Sequence, residues 1–239
     1  MKVYLNSITG IDDAILSMYF SNGKWNEYID NGVRNACLRV LSSKGYILPF
    51  AADAELKKYN EMLSKLLKIG KRHITLLRFI DLSITVDGLH RAGQDDWDSH
   101  AKRFENRIIR MSTRRKMVPE MSDYYKDKVL TFGDAIEKLD IKLPNTIEAE
   151  DDMYIKTPVG YIKSEHLNSN DVHRGLFPLG MQSSFIFKCN LTEFAHVYKE
   201  RRKEGNAHPE VKELCEEICD LLEDAQPMFT RELFMEIKN

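Results

Sequence analysis

The sequence predicts an α+β fold, and three observations carry that expectation. Residues 2–8, 81–87 and 182–189 alternate apolar and polar side chains at strand spacing. Between and after them, apolar residues recur at helical spacing. No Pro/Gly/Ser-rich linker divides the 239 residues, so one domain over 1–239 is expected.

The elements follow in order. After the strand at 2–8, residues 11–20 and 25–41 read as helices, the second from Tyr28, Val33, Cys37 and Leu41. Leu56, Leu63, Leu66 and Leu67 form a further helical stripe that Gly70 ends. Asp81 to Asp87 alternates strictly, after which Gly88 is expected to turn the chain into a helix starting near Leu89. Residues 118–150 are weakly patterned and run into the acidic stretch 148–152, which reads as a solvated loop. Met153–Lys156 and Tyr161–Lys163 flank Thr157-Pro158-Val159-Gly160 and predict a hairpin. A strand at Gln182–Cys189 precedes helices at roughly 191–204 and 209–224, with a short one after Pro227.

Composition narrows the function classes. The formal net charge of −2 gives no bulk attraction to nucleic acid or anionic lipid, so an anion site must arise from local clustering. Four cysteines make no disulfide framework: Cys37 and Cys189 stand alone, and Cys215 and Cys219 share a helix face without two further ligands for a metal. Met1-Lys2-Val3-Tyr4 lacks a signal-peptide core and no stretch approaches membrane-spanning length, which predicts a cytoplasmic protein with no membrane partner.

Four places hold residues suited to chemistry. The segment 99–116 carries Lys102, Arg103, Arg107, Arg110, Arg114, Arg115 and Lys116 against the single acid Glu105. If helical, it lines Arg103, Arg107, Arg110 and Arg114 on one face, beside Phe104, Ile108 and Met111. Such a row suits a phosphate, and equally a solvated face with scattered carboxylate partners. No aromatic residues interleave it, which argues against a nucleic-acid partner. Asn190 followed by Glu193 forms an Asn-type capping box, and Arg201 then falls on the apolar stripe of Phe194, Val197 and Tyr198. Snorkelling is the usual answer for such an arginine; a buried anion or polar ligand is the other. Pro209 and Glu210 suit the first turn of the next helix. Arg174 lies between a plausible N-cap and the helix-ending Pro178.

Taken together these residues resemble the flavin-dependent thymidylate synthases. Arg174 and Pro178 are four apart, then come a strand and Asn190, with Arg201 eleven residues on. Ala207-His208-Pro209-Glu210-Val211 resembles the family's next helix opening after a one-residue insertion, and Pro227-Met228-Phe229 its closing segment. Upstream, Gly70-Lys71-Arg72-His73-Ile74-Thr75 resembles its Gly-His-x-Thr/Ser stretch, and Ser83, Gly88, Arg91 and Ala92 match its strand and helix start. The Arg-His-Arg signature is altered. Counted from Gly88 it falls on Ser99-His100-Ala101, and counted back from Ser112-Thr113-Arg114 it falls on Lys102-Arg103-Phe104.

The resemblance implies a mixed or antiparallel sheet flanked by helices, assembled as a homotetramer. It implies reductive methylation of dUMP to dTMP with FAD as cofactor and NADPH and methylenetetrahydrofolate as co-substrates. It places Ser112, Arg114, Arg174 and Arg201 on dUMP, with Arg201 and Ser112 as the catalytic pair, and His73, Thr75, His100 and Asn190 near FAD. No metal is implied. The altered signature residues resemble mostly flavin contacts, so a relative that modifies a pyrimidine nucleotide differently, for example by hydroxymethylation, and a non-catalytic nucleotide-binding homologue are the alternatives.

Overall fold

A computed structural model describes residues 1–30, 53–99, 107–112 and 120–238. Along the chain run β1 (Lys2–Thr9), α1 (Ile11–Ser21), α2 (Trp25–Asp30), α3 (Asp53–Gly70), a 3-10 helix (Ile74–Phe79), β2 (Asp81–His90), α4 (Arg91–Ser99) and β3 (Arg107–Arg110). Then come α5 (Phe132–Lys138), β4 (Thr146–Ala149), β5 (Asp152–Thr157), β6 (Gly160–Lys163), α6 (Asn170–Gly175), β7 (Gln182–Asn190), α7 (Leu191–Arg201), α8 (Pro209–Ala225) and α9 (Arg231–Glu236). One sheet has the strand order β1-β2-β7-β3, and a second is the antiparallel meander β4-β5-β6. The expected α+β class is therefore what the chain adopts.

The chain divides into two compact units: residues 1–2, 86–96 and 109–185, and residues 3–85, 97–108 and 186–239. Strands β1, β2, β3 and β7 and helix α4 each have residues in both.

The second of these units holds most of the apolar core. Ala14, Ile15 and Met18 on α1, Leu63 and Leu66 on α3, and Leu77 and Ile80 around the 3-10 helix are all buried. The 3-10 helix packs against α1, α3 and α7, and α9 packs against α7. The last contact is aromatic: Phe234 meets Phe194 edge-on at 5.0 Å between ring centroids and lies 5.8 Å from Tyr198. Arg231 opens α9 and is held by three carboxylates of α8, those of Glu216 at 3.0 Å, Asp220 at 2.6 Å and Glu223 at 3.4 Å. Gly10 joins β1 to α1 with φ of 80°, and a Cβ there would collide with the Phe79 carbonyl, so this corner requires glycine.

In the first unit, α4 starts by donating the Arg91 N–H to the Met181 carbonyl at 2.9 Å and the Ala92 N–H to the Leu179 carbonyl at 3.2 Å. Two of the orphan donors of a helix N-terminus are thus satisfied by the loop that follows Pro178. Helix α5 is built from a capping box between Thr131 and Asp134. The hairpin expected at 153–163 is present, with Thr157 opposite Gly160.

Several expectations change. Gly88 does not turn the chain; it sits inside β2 with φ of 93°, and the strand continues to His90. The basic segment is not a helical row where it is described: Arg107-Ile108-Ile109-Arg110 is strand β3, as a β-branched pair beside a sheet favours. The acidic run 148–152 is not an open loop: it ends β4 and opens β5 around a two-residue hairpin turn. Glu150 and Asp151 both have positive φ, at 51° and 67°, and Ala149 pairs with Asp152 across them. Of the helix expected at 25–41, residues 25–30 are helical and the rest lies outside the described residues.

The Phe194–Phe234 contact joins two helices through fully buried rings. Phe234→Ala is expected to lower unfolding free energy by about 3–5 kcal/mol. Urea denaturation checks this, and a loss under about 1 kcal/mol would show that α9 docks independently of the ring.

Candidate functional site

The second unit assembles one group of residues from two directions. His73 starts the 3-10 helix, makes no side-chain cap bond to it, and is exposed, as is Thr75 in its first turn. That helix ends against the start of α7, where the Leu191 N–H donates to the Ile80 carbonyl at 2.8 Å. Asn190 caps α7: its Oδ1 accepts from the Glu193 N–H at 2.9 Å and from the Thr192 hydroxyl at 2.6 Å. The capping box read from the sequence is therefore present in its essential half, with Asn190 buried. His73, Thr75 and Asn190 thus belong to two elements that are packed together and joined by a backbone hydrogen bond.

Arg201 closes α7 at the opposite end. Only 7 % of it is exposed, so its head does not snorkel to water. A cation in the last helical turn suits the negative end of the helix dipole, which accounts for part of the cost of burying it. Its charge is felt by Cys215 on α8. Burial pushes that thiol well above its ordinary range and Glu216 adds to the shift, while Arg201 and Arg231 oppose it. Glu210 stands in the first turn of α8, as its position suggested, and is also buried.

The first unit holds Ser112 and Arg174, both exposed. Ser112 follows a residue bonded to β7, and Arg174 precedes that strand in the chain. The Met111 N–H donates to the Ser184 carbonyl at 2.8 Å, and the chain from Arg174 passes through Pro178 into β7. Arg174 makes an ion pair with Asp171 at 3.5 Å, three residues earlier on α6. Its neighbour His173 is buried, with Nε2 at 2.7 Å from the Leu167 carbonyl. Arg114 and His100 lie outside the described residues.

Two arginines of the basic segment have carboxylate partners. Arg107 pairs with Asp81 at 3.1 Å, and the same carboxylate takes Lys188 at 3.0 Å. Arg110 pairs with Asp95 on α4 and also donates to the Gln94 carbonyl at 3.4 Å. For these two positions the carboxylate-partnered reading of the segment holds. Two concavities lie away from all of these residues, one of about 660 Å³ along α3 beside Met228 and one of about 440 Å³ between α5 and the β5–β6 turn.

Sequence reading passed over His173, Gln94 and the depth of Glu193. Glu193 had a signal, since the third position after an N-cap often carries an acid. His173 and Gln94 had none, because a single polar residue on a short polar helix gives no periodicity to read.

The class the chain shows is an α+β fold, here with a capped helix that ends in a buried arginine, and solved structures are similar to this chain over nearly its whole length. Two crystal structures of the flavin-dependent thymidylate synthase ThyX from Helicobacter pylori, each with FAD and dUMP, match with TM-scores of 0.55 and 0.53. They are 13 % and 14 % identical, and cover 98 % and 100 % of this chain and 100 % of their own. A UMP/dUMP methylase, PolB, from Streptomyces cacaoi bound with 5-Br dUMP matches with a TM-score of 0.55 at 11 % identity, covering 98 % of this chain and 94 % of its own. At such identities the likeness speaks for the fold. No curated protein sequence matches. The chain belongs to the family described as thymidylate synthase complementing protein, whose model matches residues 36–228.

Two measurements probe this frame. Asn190→Ala removes the α7 cap and is expected to lower stability by about 1 kcal/mol, whereas Asn190→Asp keeps the accepting oxygen and most of the stability. Equal losses in urea melts would mean that the cap bond contributes nothing. Alkaline titration is the second. Burial pushes Tyr198 up to about 12, while in the unfolded chain it ionises near 10. Between those values the unfolded state binds fewer protons than the folded one, so stability falls as pH rises. Tyr198→Phe should flatten that fall between about pH 10 and about pH 12 in pH-dependent urea midpoints; an unchanged slope would show that the phenol is not protected by folding.

Proposed function

We propose that the chain is a flavin-dependent thymidylate synthase. In this reading dUMP, methylenetetrahydrofolate, NADPH and one proton become dTMP, tetrahydrofolate and NADP⁺; C5 of the pyrimidine loses its hydrogen as a proton, and the two folate nitrogens released from the methylene bridge take up two. What supports it most is family membership over residues 36–228.

The residues described fit a bound flavin in part. His73 and Thr75 are exposed on a helix that packs against α7, and the His73 side chain is not spent on capping. Asn190 has its carbonyl oxygen engaged within the protein, so it acts first as a cap. We place His73, Thr75, His100 and Asn190 around FAD. When bound and reduced, FAD would supply the hydride that completes the methyl group, and NADPH would restore it.

The chain's own residues have separate tasks. Arg174 and Arg114 hold the phosphate of dUMP by charge-assisted hydrogen bonds. Ser112 positions the nucleotide. Arg201 lies at the pyrimidine edge and stabilises negative charge developing on the ring as C5 becomes nucleophilic. Its burial suits this role, since a guanidinium in a water-poor setting acts more strongly on such charge than one in solvent. No protein nucleophile is required.

A homotetramer, one domain over 1–239 and a cytoplasmic location belong to the same reading. Among the described residues no helix is long and apolar enough to cross a membrane.

A second reading keeps the nucleotide and changes the product, for example by hydroxymethylation. The altered Arg-His-Arg signature favours it. A non-catalytic homologue that has lost the cofactor is the third.

One preparation separates the three. The purified protein should be yellow with a flavin spectrum, and incubation with dUMP, methylenetetrahydrofolate and NADPH should give a product of dTMP mass. A heavier product carrying oxygen would select the second reading. A colourless protein that takes up no FAD would overturn both enzyme readings.

A further inference from the structure

We infer that His173 is a positioning residue that sets the direction in which Arg174 presents its guanidinium, and thereby the affinity of the proposed site for the phosphate of its nucleotide. The inference rests on the reading of Arg174 as a phosphate ligand.

Helix α6 has six residues, too few to be stable from its own hydrogen bonds. Its start is held by Ser169, whose hydroxyl accepts from the Val172 N–H at 3.4 Å. Its end is closed by the Leu176 N–H on the His173 carbonyl at 3.1 Å and the Phe177 N–H on the Arg174 carbonyl at 3.2 Å. These bonds fix where the helix starts and stops. They do not fix its rotation about its own axis, because they involve backbone that turns with it.

Rotation is limited by whichever side chain is buried and set by the bond that this side chain makes. His173 alone among the six is buried, at 4 % exposure, while Val172 and Arg174 on either side are exposed. Successive side chains on a helix point about 100° apart. Holding the imidazole inward therefore holds the guanidinium outward at a set angle. The ion pair with Asp171 cannot do this, since both partners are well exposed and the pair comes from the same helix.

The imidazole is held by one specific bond. The Leu167 carbonyl only accepts, so Nε2 carries the proton and donates to it across 2.7 Å. That bond ties α6 to the chain six residues back. The other nitrogen, Nδ1, is buried with no hydrogen-bond partner among the described residues. An unpartnered buried acceptor is costly, and an aliphatic or phenyl side chain would fill the space without that cost. What histidine adds over such a side chain is the donor to Leu167.

The test uses the full-length protein and dUMP as ligand. Wild type and Arg174→Ala are titrated first. His173→Phe, which keeps bulk and loses the donor, should then weaken dUMP binding about tenfold. His173→Gln, which restores an N–H donor, should bind within about twofold of wild type. In the Arg174→Ala background, His173→Phe should add no further loss, because its effect passes through the missing guanidinium. Wild-type affinity in His173→Phe, or a full additional loss in the double variant, would overturn the inference. Absence of dUMP binding by wild type, or wild-type affinity in Arg174→Ala, would instead overturn the nucleotide-site reading and the inference with it. Thermal melts accompany each titration, and His173→Leu replaces His173→Phe if the latter does not melt cooperatively. If neither folds, His173 serves the fold itself and the positioning role is rejected.

Discussion

The joint on which the second unit turns is the hydrogen bond from the Leu191 N–H to the Ile80 carbonyl. It is a single backbone contact, yet it connects the end of the 3-10 helix and the beginning of α7. Because Asn190 already commits its side chain to capping α7, the first turn of that helix is defined by two independent constraints. The register of α7 is then set, and with it the inward direction of Phe194, Val197, Tyr198 and Arg201. Arg201 is buried because the apolar residues of its stripe are buried. An arginine that could choose would point to water. This one is carried inward by the helix face it occupies.

That constraint also explains the environment of α8. Cys215 and Cys219 face the same interior as Tyr198, and burial raises all three well above their ordinary ranges. Groups so protected stay neutral at physiological pH. Cys215 in particular stays neutral although the positive charge of Arg201 works against the upward shift, so burial outweighs charge there. Arg107 and Arg110 each pair with an aspartate of their own unit.

Legibility from sequence followed the length and regularity of each element. Strand β7 and helices α7 and α8 were readable because burial of one face imposes a period, and because Asn190 and Pro209 mark helix starts with their own chemistry. The family resemblance was readable for the same reason, since its best-preserved residues lie on those elements. Short elements were harder. Helix α5 hid behind Thr131 and Asp134, a capping box with no apolar run behind it. The β4–β5 turn hid in an acidic stretch because Glu-Asp is not the Asn-Gly or Asp-Gly pair that usually signals such a turn. Strand β3 misled in another way. Arginines at helical spacing suggested a helix, whereas the adjacent Ile108 and Ile109 carried the stronger preference for a strand. Spacing of charges is weak testimony, because solvated side chains do not need a common face.

The altered signature has a physical consequence of its own. Of the residues the resemblance assigns to dUMP, Arg174 and Arg201 are an exposed and a buried guanidinium, held by unrelated means. Arg201 is set by the packing of a long amphipathic helix, which tolerates change elsewhere in the chain. Arg174 stands on a helix with one buried side chain, so its placement depends on very few contacts. A family member that drifts in sequence would keep the first almost automatically and must retain something specific to keep the second. A buried histidine bonded to a backbone carbonyl is such a device: it is local and asks nothing of the rest of the fold. In the proposed reading, a phosphate contact held in this way does not pass through the residues that resemble flavin contacts, so changes in the latter leave it untouched.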